Sequence, residues 1–367
     1  QPAFLYPKSP CHPSQILILT NSPTFCSCYL ISRISIYRSG FLHRSVFLDM
    51  EGHLSNGVVV VGEDAKQRFH DSRGYGVPKK DNEIELDPVE AAHLLLRRDL
   101  NTVDGMDFIQ FVSAQKPDFS AHFSTYLDLR FRGFHLTPAS TSNNISSANI
   151  DFIVYERGTK PPEGVIKYEL RVIGERSTIP ENELVGECAL AIVDEEGELT
   201  YFNTTEINPN GKKQFLPPPS HGILLTDKVL LQNPDPIFHK DGFFGQHIPN
   251  TPHIQLSLVE AVYLCNCGSL SIDGDVLSQG RNIEGDLFDH RLSVYTALRE
   301  RGLIPKTGFK FGFDFRVYQD FNTDENMFHS EYLVKVVKSG HIFSTKELSL
   351  NVRLAAGVRK RTLFAIV

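Results

Sequence analysis

The chain has 367 residues, 41% of them hydrophobic, and its 37 Lys and Arg against 44 Asp and Glu give a net charge of −7. This length is enough for two or more hydrophobic cores, and no apolar stretch approaches the roughly 20 residues that cross a bilayer, so we expect no membrane association. The acidic balance argues weakly against a nucleic-acid partner. The six cysteines lack the Cys-x₂-Cys spacing of zinc sites, which predicts reduced thiols, no bound metal or other cofactor, and a cytoplasmic location.

Residues 1–49 differ in composition from the rest of the chain. They contain no Asp or Glu before Asp49, are rich in Ser and Pro, and precede Met50, the first methionine. We interpret Met50 as the natural start, and residues 1–49 as an upstream or disordered segment without a role in the fold.

An internal repeat divides the remaining sequence. Val89-Glu-Ala-Ala-His-Leu94 returns as Val259-Glu-Ala-Val-Tyr-Leu264, 170 residues later. Each copy is typical of a small helical N-terminal unit followed by an α/β unit with a mixed sheet, so the predicted fold class is α/β (α+β) with a tandem repeat. We place the first repeat at 50–205, a linker at 206–221, the N-terminal unit of the second repeat at 222–294 and its α/β unit at 295–367.

Local patterns predict several elements in chain order. Asp87-Pro88 supplies an N-cap and a proline at the first helical position, so a helix is expected to begin there. The apolar pattern of residues 311–318 and 363–367 predicts strands. Residues 329–339 have apolar positions at helical spacing, which predicts a helix with His329 near its start, where the helix dipole would favour neutral imidazole.

Three polar residues in the last third of the chain suit RNA cleavage by the substrate's own 2′-hydroxyl. The reaction requires a base for the 2′ proton, stabilisation of the phosphate charge, and an acid for the leaving 5′ oxygen. His329 can exchange protons near neutrality, and the charge of Lys360 suits a phosphate. Tyr318 is the least obvious member, because a phenol is a weak base near neutrality unless cations such as Arg359 and Arg361 stabilise its phenolate. Each residue taken alone is more often structural.

The stretch from Tyr295 to Val367 closely resembles the catalytic domain of archaeal tRNA-splicing endonucleases, a nuclease-like α/β unit. The resemblance is carried by Lys306-Thr-Gly-Phe-Lys-Phe-Gly312, Asp314-Phe-Arg-Val-Tyr318, His329-Ser-Glu-Tyr-Leu-Val334 and Arg353-Leu-Ala-Ala-Gly-Val-Arg-Lys360. It implies that Tyr318 is the general base, His329 the general acid and Lys360 the transition-state stabiliser. It also implies that Arg353 is one of two arginines that clamp a flipped bulge base, the second being expected in a C-terminal strand that this chain lacks.

The resemblance further implies the substrate and the assembly. The family cleaves precursor tRNA at bulge-helix-bulge intron boundaries without a metal, leaving 2′,3′-cyclic phosphate and 5′-hydroxyl ends. Two copies in one chain are similar to its duplicated, homodimeric branch.

The two copies have diverged in sequence. Matching Tyr168 to Tyr332 places Val165 opposite His329, and matching residues 191–193 to 365–367 places Gly186 opposite Lys360. Residues 291–367 contain 13 basic and 7 acidic residues, whereas residues 122–205 contain 7 basic and 13 acidic ones. We therefore expect the first copy to be catalytically inactive and the basic second copy to bind RNA.

The acidic copy contains the turn Asp194-Glu195-Glu196-Gly197 between two apolar runs. Most turns of this kind are solvated hairpins. The resemblance implies instead that Asp194, Glu195 and Glu196 dock into a basic pocket on a partner subunit.

Two other functions stay open from the residues alone. The first is a catalytically silent structural or RNA-binding subunit of a splicing complex, against which the intact triad argues. The second is a metal-dependent DNA nuclease, which would need clustered carboxylates for magnesium and which the spacing of Asp314, Asp320 and Glu331 does not favour.

Overall fold

A computed structural model of the chain describes residues 15–21, 50–62, 64–141, 149–184, 188–211, 216–240, 242–319 and 329–367. These residues divide into two compact units, one of residues 21–177 and 187–203 and the other of residues 1–20, 178–186 and 204–367. No helix among the described residues is long and apolar enough to cross a membrane.

The elements up to residue 206 comprise strands and three helices. The strands are β1 Gln15–Asn21, β2 Glu51–Ser55, β3 Val58–Val61, β4 Val77–Pro78, β5 Ile84–Leu86, β6 Thr102–Val103, β7 Leu136–Pro138, β8 Phe152–Tyr155, β9 Ile166–Gly174, β10 Thr178–Pro180, β11 Cys188–Val193 and β12 Leu199–Glu206. The helices are α1 Pro88–Leu96, α2 Phe108–Ser113 and α3 Phe119–Phe131.

The elements after residue 206 repeat this succession. The strands are β13 Ser220–Leu224, β14 Lys228–Leu231, β15 Gln246–His247, β16 Ile254–Ser257, β17 Leu270–Ile272, β18 Ile304–Thr307, β19 Phe315–Tyr318, β20 Tyr332–Val337, β21 Ile342–Ser344 and β22 Arg361–Ile366. The helices are α4 Ile237–Lys240, α5 Leu258–Asn266, α6 Val276–Glu284, α7 Asp286–Glu300 and α8 Thr345–Gly357.

The N-terminal unit of each repeat is a five-stranded sheet with helices. The strand order is β4-β5-β3-β2-β6 in the first repeat and β15-β16-β14-β13-β17 in the second. The α/β fold class with a tandem repeat is thereby confirmed, and each unit that we expected to be helical also contains a sheet. The proposed linker of residues 206–221 is shorter in the structure, because Glu206 ends β12 and Ser220 and His221 begin β13.

The same polar contacts start the first long helix of each N-terminal unit. The Asp87 side chain caps α1 as predicted, and Glu90 accepts hydrogen bonds from the backbone N–H groups of Asp87 (3.1 Å) and Gly76 (2.9 Å). Glu260 accepts the equivalent bonds from Ser257 (3.1 Å) and Gly245 (3.1 Å) at the start of α5. Two glutamate side chains therefore anchor equivalent turns, as a duplication predicts.

The α/β unit of each repeat contributes a mixed sheet. In the first repeat the strand order is β12-β11-β9-β8-β7, and in the second β18-β19-β20-β22 continues to β1. Strand β1 pairs antiparallel with β22, from Gln15 opposite Ile366 to Leu19 opposite Thr362. The expectation that all of residues 1–49 lie outside the fold was therefore wrong for residues 15–21.

Large apolar side chains fill the core of each α/β unit. Helix α7 packs on the second sheet through Phe288, Tyr295 and Leu298, which lie against Phe315 and Val317 of β19. Helix α8 covers the opposite face of that sheet, where Ala355 packs against Leu333 and Phe313. The sheet is thus buried on both faces, which leaves the ends of its strands as the places where polar side chains reach solvent.

Candidate functional site

The strand directions of the second sheet bring Tyr318, His329 and Lys360 to one edge. Strand β19 runs antiparallel to β20, with Val317 opposite Tyr332, and β20 runs parallel to β22, with Tyr332 opposite Arg361. The carboxyl end of β19 therefore lies beside the amino ends of β20 and β22. Tyr318 is the last residue of β19, Lys360 directly precedes β22, and His329 lies three residues before β20.

Backbone hydrogen bonds continue the sheet one residue beyond these pairs. The Glu331 N–H donates to the Val317 carbonyl oxygen (3.0 Å), and the Arg361 N–H donates to the Glu331 carbonyl oxygen (3.0 Å). The ammonium of Lys360 donates to the Ser330 carbonyl oxygen (2.8 Å), next to His329. The segment that carries His329 is thus held between β19 and the residues that begin β22.

The histidine itself is exposed to solvent, and β20 rather than a helix follows it. The predicted helix over residues 329–339 was therefore wrong, and so was the predicted effect of a helix dipole on His329. Tyr332, Leu333 and Val334 are consecutive buried residues, as in a strand covered on both faces. Such a continuous apolar run does not distinguish a strand from a buried helix. The strand predicted over residues 311–318 is confirmed only for β19, because residues 309–311 form a helical turn.

The end of helix α8 positions Lys360. The helix ends at Gly357, Arg359 adopts a left-handed backbone conformation with φ of 56°, and the Lys360 N–H donates to the Ala355 carbonyl oxygen (2.9 Å). Partial burial, together with the nearby positive charge of Arg316, lowers the pKa of Lys360 from its ordinary value. Lys360 thus lies at the site edge beside a second cation.

Helix α8 also carries Arg353, which is exposed between the half-exposed leucines Leu350 and Leu354. Arg353 precedes the end of α8 by one helical turn, so it lies on the same element that delivers Lys360.

The first repeat shares these registers up to Val154, beyond which a β-bulge shifts the pairing so that Tyr155 lies opposite Ile166. Val154 lies opposite Tyr168 as Val317 lies opposite Tyr332, and Leu170 lies opposite Ala189 as Val334 lies opposite Leu363. Counting back from these pairs places Val165 where the second repeat has His329, and Gly186 where it has Lys360. Val165 is exposed, and Gly186 lies outside the described residues.

One residue shared by both copies has a structural explanation. The Asp151 carboxylate accepts the Val172 N–H (2.7 Å), and the Asp314 carboxylate accepts the equivalent Val336 N–H (2.9 Å). Asp151 therefore holds β9 and Asp314 holds β20, and the presence of an acid in both motifs reflects the fold rather than the chemistry.

The sequence interpretation missed Arg316, in the middle of the Phe-Arg-Val-Tyr motif. Its guanidinium carbon lies 5.8 Å from the centre of the Tyr318 ring. The cations considered for Tyr318 from the sequence were those of residues 359–361, which are adjacent to one another in the chain. Residues two apart in a strand lie on one face, so the predicted strand could have indicated Arg316 as a neighbour of Tyr318.

The acidic turn contains three carboxylates with different surroundings. Asp194 accepts the backbone N–H groups of Glu196 (2.9 Å) and Glu198 (2.8 Å), so its side chain stabilises the turn itself. Glu195 forms an ion pair with Arg176, while Glu196 is exposed. The structure therefore gives Asp194 a local role, and it does not test the expected role of the turn at a subunit interface.

The three cysteines among the described residues, Cys188, Cys265 and Cys267, are thiols. Burial raises the pKa of Cys188 and Cys265 to about 11. Within the described residues there is also no group of three or more His, Cys, Asp or Glu side chains placed to hold a metal ion.

One end of this sheet thus carries a phenol, an imidazole and an ammonium group, which suit proton transfer and charge stabilisation at a phosphate. The family model of the tRNA intron endonuclease catalytic C-terminal domain matches residues 288–367, and that of its N-terminal domain matches residues 50–113 and again residues 220–280. The chain belongs to the tRNA intron endonuclease family.

Similar proteins span nearly the same length. A tRNA-splicing endonuclease of Haloferax volcanii is 47% identical over 325 residues, which cover 86% of this chain and 95% of the relative. One of Haloarcula marismortui is 46% identical over 320 residues, with 86% and 95% covered, and one of Methanosarcina acetivorans is 31% identical over 349 residues, with 86% and 95% covered.

Proposed function

We propose that this chain is a metal-independent endonuclease that cleaves precursor tRNA at bulge-helix-bulge intron boundaries. The observation that carries the proposal is the convergence of Tyr318, His329 and Lys360 at one end of three hydrogen-bonded strands. Rigid strand ends hold catalytic groups in position better than mobile loops do.

Each of the three residues has one role in the proposed reaction. The phenolate oxygen of Tyr318 takes the proton of the 2′-hydroxyl, and the 2′ oxygen attacks phosphorus. The imidazolium of His329 gives its proton to the 5′ oxygen as the bond between phosphorus and that oxygen breaks. The ammonium of Lys360 stabilises the negative charge that accumulates on the non-bridging oxygens. The products are a 2′,3′-cyclic phosphate and a 5′-hydroxyl.

The proposal also includes a homodimer and a division of labour between the repeats. The first repeat has Val165 and Gly186 in place of the acid and the cation, so we assign it a structural role. Its exposed Glu195 and Glu196 are proposed to meet basic residues of a second copy of the chain, which would position the partner's catalytic repeat. A precursor-tRNA substrate makes the cytoplasm the proposed location.

The experiment uses a bulge-containing precursor RNA, excess EDTA and single-turnover conditions. We expect cleavage at both boundaries with cyclic phosphate ends. His329→Ala should reduce the cleavage rate by on the order of 10²-fold or more while RNA affinity stays nearly unchanged, because it removes a proton transfer and no binding contact. Tyr155→Phe, the matched change in the first repeat, should leave the rate unchanged.

Three outcomes would speak against the proposal. Cleavage that needs added magnesium would indicate a metal-dependent nuclease. Tight RNA binding by the intact protein without cleavage would indicate a silent subunit. A His329→Ala variant that cuts at the wild-type rate would show that the acid is another residue.

A further inference from the structure

Arg316 lies on the same face of the sheet as the proposed active site. It precedes Tyr318 by two residues in β19, so the two side chains leave the strand on one side. Opposite Arg316 is Leu333 of β20, and opposite Leu333 is Thr362 of β22, two residues after Lys360. Neighbouring strands are about 4.8 Å apart, so the backbones of Arg316 and Thr362 lie roughly 10 Å apart. The long side chains of Arg316 and Lys360 can together span a distance of this size.

The guanidinium of Arg316 is a cation without a carboxylate partner among the described residues. Its Nε is buried and makes no hydrogen bond to the part of the chain that the structure describes. Two other half-buried cations of this repeat do contact carboxylates: Lys306 contacts Glu260 (2.9 Å), and Arg291 contacts Glu284 (2.5 Å).

A second unpaired cation lies close to Arg316. The ammonium of Lys360 has no acidic partner within ion-pair distance among the described residues, and its one hydrogen bond is to the Ser330 carbonyl oxygen. The positive charge of Arg316 is near enough to contribute to the lowered pKa of Lys360. Two like charges held together at a strand end favour the binding of an anion between them.

The first repeat shows that the sheet does not require this arginine. Its equivalent of Arg316 is Ile153, which faces Thr137 of β7 as Arg316 faces Lys306 of β18. Ile153 is fully buried. The repeat that lacks the imidazole and the ammonium thus also lacks the guanidinium, while it keeps the strand.

We infer that Arg316 binds a non-bridging oxygen of the scissile phosphate alongside Lys360, as a further catalytic residue of the second repeat. The inference depends on the proposed function of this site. A guanidinium donates hydrogen bonds from a planar group to adjacent phosphate oxygens, which a single ammonium cannot do.

The test combines Arg316→Gln with sulfur substitution of the substrate. Single-turnover cleavage would be measured on a bulged precursor RNA and on its two phosphorothioate diastereomers at the scissile position. Removing one charge-stabilising donor is expected to lower the rate on the all-oxygen substrate by about 10²-fold. In the wild type, one diastereomer should be cleaved more slowly than the all-oxygen RNA, and this difference should largely disappear in Arg316→Gln. Arg316→Lys should recover part of the rate.

A matched control removes another cation from the same sheet. Lys335 lies on β20, two residues beyond Leu333 and away from the strand ends, with its ammonium 3.9 Å from the Asp314 carboxylate. Lys335→Gln should retain the wild-type rate and the wild-type response to sulfur, and melting temperatures of all variants would be measured in parallel.

Two results would overturn the inference: a wild-type rate in Arg316→Gln, or a reduced rate in both Arg316 variants with an unchanged response to sulfur. The second result would indicate a structural role. If the wild-type protein does not cleave the all-oxygen RNA, the proposed function itself is contradicted. This result differs from both results that would overturn the role of Arg316.

Discussion

The buried carboxyls Glu90 and Glu260 occupy equivalent positions with different electrostatic partners, which predicts opposite responses to pH. Burial raises the pKa of Glu90 to about 8, and the hydrogen bonds from the Gly76 and Asp87 N–H groups offset only part of this shift. Burial also acts to raise the pKa of Glu260, but the ammonium of Lys306 and the hydrogen bonds outweigh it and hold that pKa below its ordinary value.

The prediction is that Glu90→Gln changes how stability depends on pH. Between pH 4.5, the ordinary pKa of a glutamate, and pH of about 8, the folded protein retains the Glu90 proton, whereas the unfolded chain has already lost it. Wild-type stability should therefore fall as pH rises through this window, by about 1.4 kcal/mol per pH unit for one proton. Glu90→Gln lacks the titrating group, so its stability relative to wild type should rise by on the order of 3 kcal/mol between pH 5.5 and 8.

Glu260→Gln is the matched control. It leaves the buried ammonium of Lys306 without its carboxylate, and breaking one partner of a buried pair costs roughly 3–5 kcal/mol. This variant should be less stable than wild type throughout pH 5.5 to 8. Urea unfolding followed by circular dichroism at several pH values would measure both variants. Parallel pH curves for wild type and Glu90→Gln would refute the reasoning, because Glu90 would then be ionised in the folded state.

Two further predictions concern RNA recognition and assembly. Arg353→Ala should weaken binding of bulged RNA by roughly 5- to 150-fold, since a guanidinium stacked on an extruded base contributes about 1–3 kcal/mol. Lys346→Ala, an exposed cation on the same helix, is the control, and equal binding by both variants at subsaturating RNA would remove Arg353 from the site. Glu195→Gln combined with Glu196→Gln should shift a homodimer towards monomer in light scattering across a dilution series, by about 1 kcal/mol per exposed pair at most. Glu163→Gln should not do so, and a double variant with unaltered mass and activity would leave the acidic turn as a solvated hairpin.

Features that depend on local patterns were predictable from the sequence. Helix α1 begins at Pro88 with Asp87 as its cap because capping involves residues a few positions apart. Strand β22 follows from its apolar run. The duplication was visible because both repeats keep the residues that build their helices.

Features that depend on neighbours distant in the chain were not predictable. Strand β20 looked helical because both of its faces are buried, which removes the alternation that identifies a strand. Residues 15–21 form a strand by pairing with β22, which lies more than 300 residues later in the chain. The proximity of Arg316 to Lys360 depends on the register of three strands, and a single sequence does not specify register between strands that are joined by long connections.

The two repeats together show why one copy could lose its site without losing its fold. The contacts that hold each unit lie in the interior: Arg130 packs over the Tyr75 ring at 4.2 Å, and Arg299 packs over the equivalent Phe244 ring at 4.1 Å. The proposed catalytic groups lie instead at or just beyond strand ends, where packing does not depend on them. Substitution there costs little stability, so the first repeat can keep its fold with different residues at the equivalent positions.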